Sequence, residues 1–263
     1  MRALVGLVIA GLVAASPAAA EAKGTKQRPR ATKQDPHKAK KRAARARAPR
    51  ERERIEPREI ARGQSVGEPW SGRLQRASEF PAGEGYFIRR PERAFGTQTT
   101  VDLTERAIAE TLDEFPDQHV LAIGDISAKS GGTITQHHSH QSGRDVDVGL
   151  FYLEQPPGYP ASFVHADADN LDCAATFKLL ERFLATADED GGVQMIFLDF
   201  DVQGILYDWA LEQGISERRL DRIFQYPHGR GASDGIVRHE PNHDNHMHVR
   251  FRCAGEDSSC GDR

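Results

Sequence analysis

From about residue 100 onward, apolar and polar positions alternate in patterns that define elements one after another. Leu103, Ala107, Ile108 and Leu112 share one helical face over residues 102–115, and Pro116 stops that helix. Residues 119–126 (HVLAIGDI) are a short apolar run of the kind that forms a buried strand. Val146, Val148, Leu150 and Tyr152 then alternate with Asp145, Asp147, Gly149 and Phe151, the period-two signature of a second strand. Residues 156–162 (PPGYPAS) read as a turn or lid-like loop. A strong amphipathic helix over 170–186 turns Leu171, Ala174, Ala175, Leu179, Phe183 and Leu184 inward. A third strand at 193–200 precedes a helix over 202–213 that ends at Gly214, and a short helix runs from Ser216 to near Phe224. HMHVRFR at 246–252 alternates as the last strand. Helices and strands mixed in this order predict a single α+β domain with a small, mainly antiparallel sheet and flanking helices. Which strands pair is not legible in the pattern.

The first part of the chain has no such pattern. Residues 1–20 carry a positive Arg2, an apolar stretch from Leu4 to Ala15 and small residues at Ala18 and Ala20, as a cleaved signal peptide does. The stretch is too short for a spanning helix, which needs roughly 20 apolar residues. The mature chain is therefore expected to have no integral membrane segment and to be periplasmic. Residues 21–66 read as a basic, disordered arm or linker, and 67–263 as the folded domain. From Glu21 to Arg50 there are twelve Lys or Arg against two acids, although the whole chain has a formal charge of −4. A basic arm is thus joined to an acidic body. With almost no large apolar residues the arm cannot bury enough surface to fold. It is expected to act as a tether, or to hold an anionic polymer such as cell wall through residues 23–50; export excludes nucleic acid as a partner. The mixed-charge segment ERERIEPREIARGQSVGEPW, residues 51–70, is expected to be a short helix or a strap. Cys253 and Cys260 close a short loop and are expected to pair, which an exported protein permits. Cys173 is left over at a helix start as a small hydrophobe.

The candidate chemistry lies in two histidine clusters. Three of the eleven histidines fall within HHSHQSGRD and three within HDNHMH. Six residues separate His140 from Asp147 across a turn at Gly143, and Asp145 and Asp147 share a strand face. A loop imidazole and a strand carboxylate can converge on zinc, which takes nitrogen and carboxylate oxygen. Two ligands are too few, and the HMH strand supplies the third. His246 and His248 face the same way, so one can bind metal while the other stands beside the attacking water as general base or oxyanion stabiliser. His243 can reach the same water or the substrate. The same ligand types also suit manganese or cobalt. A serine hydrolase is the rival chemistry, but Ser139 and Ser142 lack a G-x-S-x-G elbow. Gly131-Gly132 reads as a turn, not a phosphate loop. Arg144, Arg238 and Arg250 are candidates to fork onto substrate carboxylates.

At these residues the chain resembles a known family. GDISAKSGG, HHSHQSGRDVD and PNHDNHMHVRFRC are similar to the penicillin-insensitive murein endopeptidases, which are related to lysostaphin-type and D-alanyl-D-alanine peptidases. The resemblance implies that His140, Asp147 and His248 bind Zn2+, that His246 is the catalytic histidine and that His243 is a further active-site histidine. It implies that His137 contacts substrate, supports a ligand or holds a second metal. It also implies hydrolysis of the D-alanyl–meso-diaminopimelyl cross-link of peptidoglycan, and a family disulfide at Cys253 and Cys260. Thr135-Gln136 depart from a frequent Gly-Gly, and His138 is an added imidazole. Alternatives on the same residues are a D-alanyl-D-alanine carboxypeptidase or another metallopeptidase, and a non-catalytic cell-wall-binding protein.

Overall fold

The computed structural model describes residues 63–262. The expected signal peptide and most of the basic arm lie outside them. Ten short strands and four α-helices follow. The strands β1 (Gln64–Val66), β2 (Arg73–Gln75), β3 (Ser78–Glu79), β4 (Tyr86–Ile88) and β5 (Phe95–Gly96) come first. Helix α1 (Gln98–Glu114), β6 (Leu121–Ile123), β7 (Asp145–Gly149), α2 (Cys173–Leu184), β8 (Val193–Leu198), α3 (Phe200–Glu212), α4 (Glu217–Ile223), β9 (Val237–His239) and β10 (His246–Phe251) complete the domain.

Side chains that accept from orphan N–H groups fix where helices begin. Thr97 caps α1 through the Thr100 N–H, and Asp172 caps α2 through the Ala175 N–H. Because Thr97 is the cap, α1 starts at Gln98, four residues before the expected start at 102. Cys173 opens α2 as expected. Burial pushes its thiol up to about 11, with Asp172 and Glu212 adding repulsion, so it is no thiolate nucleophile at neutral pH.

The main sheet has the order β4-β6-β7-β10-β8-β9. The three inner pairings, β6 with β7, β7 with β10 and β10 with β8, are antiparallel. The outer pairings of β4 with β6 and β8 with β9 are parallel. The expected α+β class and mainly antiparallel sheet are therefore what the chain adopts. β7 and β10, the strands carrying Asp145, Asp147, His246 and His248, lie side by side at its centre.

Period two sorts the faces of this central pair. Val146, Val148, Met247, Val249 and Phe251 are fully buried and join the core with Ile108, Leu179 and Phe183. The opposite face carries the polar residues, and it is also largely covered: Asp145 and Asp147 are buried. The 156–162 loop is anchored and not lid-like at its middle, because Tyr159 is buried, takes the Ala122 N–H and donates to Leu150 O.

Residues 63–70, expected as part of a helix or strap, contribute β1, which pairs with β2. The carboxy-terminal tail closes over this strand: Gly67 N–H donates to Ser259 O, and Gly261 N–H donates to Gly67 O. Arg144 is not a substrate residue. It is 1% exposed and is consumed by Ser65, the Phe251 and Gly261 carbonyls and Asp262. Cys253 and Cys260 form a disulfide. Replacing both with Ser is expected to destabilise the domain by about 2.5 kcal/mol, the loop entropy of so short a ring. That corresponds to a fall of roughly 5–10 °C in Tm, measurable by calorimetry; an unchanged Tm contradicts it.

Candidate metal centre

The site is built on the β7–β10 register. Arg250 faces Asp145, His248 faces Asp147 and His246 faces Gly149. Each pair forms one rank across the polar face of the sheet. The loop before β7 adds His140, in the left-handed region at φ 63. A non-glycine residue holds that conformation only when its surroundings fix it. Here the His140 N–H donates to Asp145 Oδ2 at 3.0 Å, and Nδ1 lies 3.0 Å from the Ile126 carbonyl. A carbonyl only accepts, so Nδ1 carries a proton and Nε2 is the nitrogen left to face Asp147 or a metal ion. Nε2 points at Asp147 Oδ1, 3.2 Å away.

Asp147 Oδ1 is the point of convergence. His246 Nε2 lies 3.6 Å from it and His248 Nδ1 3.8 Å. Gly124 permits this closeness, since a Cβ there would stand 2.7 Å from Asp147 Cβ and 2.8 Å from Phe163. Burial works to raise the Asp147 pKa, but His140, His246 and His248 hold the carboxyl far below its usual range. For His140 burial opposes protonation, and the Asp147 and Asp145 charges outweigh it, raising the pKa to about 9, so a second proton sits on Nε2 toward Asp147 unless a metal ion takes its place. His246 goes the other way. Burial lowers it to about 3, against the pull of Asp147 and with repulsion from His243 and His248. Burial likewise lowers His248 to about 4, despite Asp145.

The other histidines are oriented as firmly. His248 Nε2 lies 3.0 Å from Asp145 Oδ1, which also accepts from Arg250 Nε at 2.7 Å. Burial alone would raise Asp145, yet His248 and Arg250 keep it well below the usual carboxylate range. As an ionised acceptor it fixes the proton on His248 Nε2 and leaves Nδ1 facing Asp147. His246 Nδ1 lies 2.6 Å from Asn245 Oδ1, so Nε2 is its open nitrogen. Its ring stacks on Phe163 with centroids 4.6 Å apart. His243 Nδ1 meets the Pro241 carbonyl, and its ring stands 4.7 Å from that of His246. His137 Nε2 meets Asp125 Oδ2 at 2.9 Å, with its ring 4.2 Å from that of His140.

All six candidate histidine and aspartate residues thus meet in one place. His137, His140 and Asp147 offer ligand atoms within 4.8 Å of one another. His140 Nε2 and Asp147 Oδ1 are buried with no hydrogen-bond partner among the described residues. Buried polar atoms are rarely left so. Two orphaned electron-pair donors aimed at each other fit a metal cation. A second group, Cys253, Cys260 and Asp262, offers no thiolate because its cysteines are in the disulfide. Ser139 and Ser142 are buried, and neither hydroxyl bonds an imidazole among the described residues. An open cleft of about 410 Å³ leads to the cluster, lined by Trp70, His137, His243, His246, His248 and Arg250 among others. His138 lines its wall, exposed.

Sequence reasoning missed Asp125, which is buried and takes Arg90 Nε at 2.7 Å and Arg93 Nη1 at 3.0 Å besides His137. The signal was present: a carboxylate at the end of an apolar run, in GDIS. Phe163 and Asn245 carried no signal, because their roles depend on what lies across the fold.

A mainly antiparallel sheet with a histidine–aspartate cradle at the base of a cleft fits one class, the metal-dependent hydrolases. The chain belongs to a particular family within it. The model of the penicillin-insensitive murein endopeptidase family matches residues 65–203, which include His137, His140 and Asp147 and end before His243. A penicillin-insensitive murein endopeptidase of Yersinia pestis is 26% identical over 211 residues, 76% of this chain and 70% of that protein. One of Yersinia enterocolitica is 29% identical over 149 residues, 54% of this chain and 48% of that protein. Among the described residues no helix is long and apolar enough to cross a membrane.

Proposed function

We propose that the chain is an exported zinc peptidase that hydrolyses the D-alanyl–meso-diaminopimelyl cross-link of peptidoglycan. The observation that carries the reading is the pair of orphaned buried donors, His140 Nε2 and Asp147 Oδ1. His248 is the third ligand, through Nδ1. His137 is the weaker candidate, because its Nε2 is already engaged by Asp125. Zinc, when bound, lowers the pKa of a water toward about 7 and polarises the substrate carbonyl.

The chain's own residues do the rest. Burial keeps His246 neutral at pH 7, so it can accept a proton. The Asn245 bond fixes its Nδ1–H and leaves Nε2 as the acceptor, and stacking on Phe163 fixes the plane of the ring. His246 Nε2 takes the proton of the attacking water and passes it to the leaving amine nitrogen. His243, with Nδ1 tied to a carbonyl, turns its other nitrogen to the substrate oxygen. Residues 1–20 act as the signal peptide, the mature protein works in the periplasm, and the basic arm ahead of β1 tethers it or holds it against the anionic wall.

Incubating zinc-loaded protein with purified sacculi tests the reading. Cross-linked dimers should disappear and monomers accumulate. Loss of terminal D-alanine with dimers intact marks a carboxypeptidase instead. Sedimentation with sacculi and no cleavage marks a wall-binding protein.

A further inference from the structure

Among the described residues that line the cleft, Arg250 is the one arginine or lysine, and its forked end is uncommitted. Arg250 follows His246 and His248 on the same face of β10, two residues past the ligand, so its Cα lies about 6.8 Å further along the strand. Its Nε is held by Asp145. Its guanidinium lies 5.0 Å from the Phe197 ring centroid and 5.7 Å from that of Trp70. Both aromatics line the cleft with it. This is a guanidinium held at Nε by a buried carboxylate, with two aromatic rings as neighbours. Its Nη groups make no hydrogen bond or ion pair with any described residue, and its side chain is 14% exposed.

The other arginines near the site are bonded at their forks or do not line the cleft. Arg90 and Arg93 serve Asp125, Arg144 closes the carboxy-terminal tail, and Arg89 donates Nε to Ala161 O and lies over Phe163. Arg238 donates Nε to Gly235 O and does not line the cleft.

We infer that Arg250 is the specificity residue that binds a substrate carboxylate, the one on the carbon bearing the scissile amide nitrogen. This rests on the endopeptidase reading and deepens it. In a diaminopimelyl cross-link that carboxylate is one carbon from the amide nitrogen. An anion there meets the open Nη edge, one rank along the strand from the ligand His248. A fork accepts a carboxylate through two parallel N–H···O bonds. A carboxamide puts an NH2 against one of these donors and removes the charge.

The test compares two cross-linked muropeptides identical except for carboxylate or carboxamide at that carbon. Wild-type protein should cleave the carboxylate form with kcat/KM at least roughly tenfold higher, the worth of a charged hydrogen bond. Arg250→Gln should bring the two substrates within about twofold of each other by slowing the carboxylate form. Arg250→Lys, which keeps a charge beside Asp145 but loses the fork, should fall between them. Zinc content is measured in each variant. The proposal is overturned if wild-type protein cleaves both substrates equally, or if Arg250→Gln still discriminates. It is also overturned if both variants lose zinc, because Arg250 then serves only to hold Asp145 and His248. If wild-type protein cleaves neither substrate, the endopeptidase reading itself fails.

Discussion

Asp147→Asn is expected to leave a folded protein that binds no stoichiometric zinc and turns over at least roughly 10³-fold more slowly, the loss of several kcal/mol of transition-state stabilisation. Asn keeps the shape of the side chain, which matters where Gly124 leaves so little room. It removes the charge on which His140, His246 and His248 converge. Asp147→Ala carries the same expectation for metal but leaves the imidazoles around a cavity, and breaking a buried ion pair costs about 3–5 kcal/mol. The Asn variant therefore separates loss of metal from loss of fold. Metal analysis with circular dichroism checks both. Full zinc occupancy and normal turnover in Asp147→Asn would remove Asp147 from the ligand set.

His246→Ala is expected to behave differently. Zinc should stay at wild-type occupancy while kcat falls about 10²- to 10⁴-fold, the range of a positioned general base. The reason is geometric. His246 Nε2 stands 3.6 Å from Asp147 Oδ1, much like His248 Nδ1 at 3.8 Å, so distance alone does not separate their roles. On the proposed reading their outer partners do. His248 is backed by an ionised buried carboxylate, which strengthens a metal ligand. His246 is backed by a neutral amide and an aromatic face, which keep it an uncharged acceptor. If His246→Ala loses zinc, His246 is a ligand and the assignment of the two strand histidines is reversed. Retained zinc with unchanged kcat removes it from proton transfer.

The chain's periodicities determined a good deal. Four helices and the strands β6, β7, β8 and β10 stand where apolar spacing puts them, because each is long enough or apolar enough for a local pattern to register. The same alternation placed Asp145 with Asp147, and His246 with His248, on single strand faces. The disulfide followed from two cysteines closing a short loop. Strands β1 to β5 and β9 were not legible, because two or three residues contain no period, and such segments become strands only where a partner waits.

The rest was decided by contacts far apart in sequence. That β7 lies beside β10 aligns Asp145 with Arg250 and Asp147 with His248 across about a hundred residues. No spacing rule reaches that far. The three candidate arginines could not be ranked from sequence, since each is a cation beside a plausible strand. Packing separated them: Arg144 was taken into the tail closure, Arg238 was turned to a turn carbonyl, and Arg250 was left in the cleft with its fork open. Side-chain type and period set what the site is made of. Strand register and the closure of the tail set which groups remain free to act.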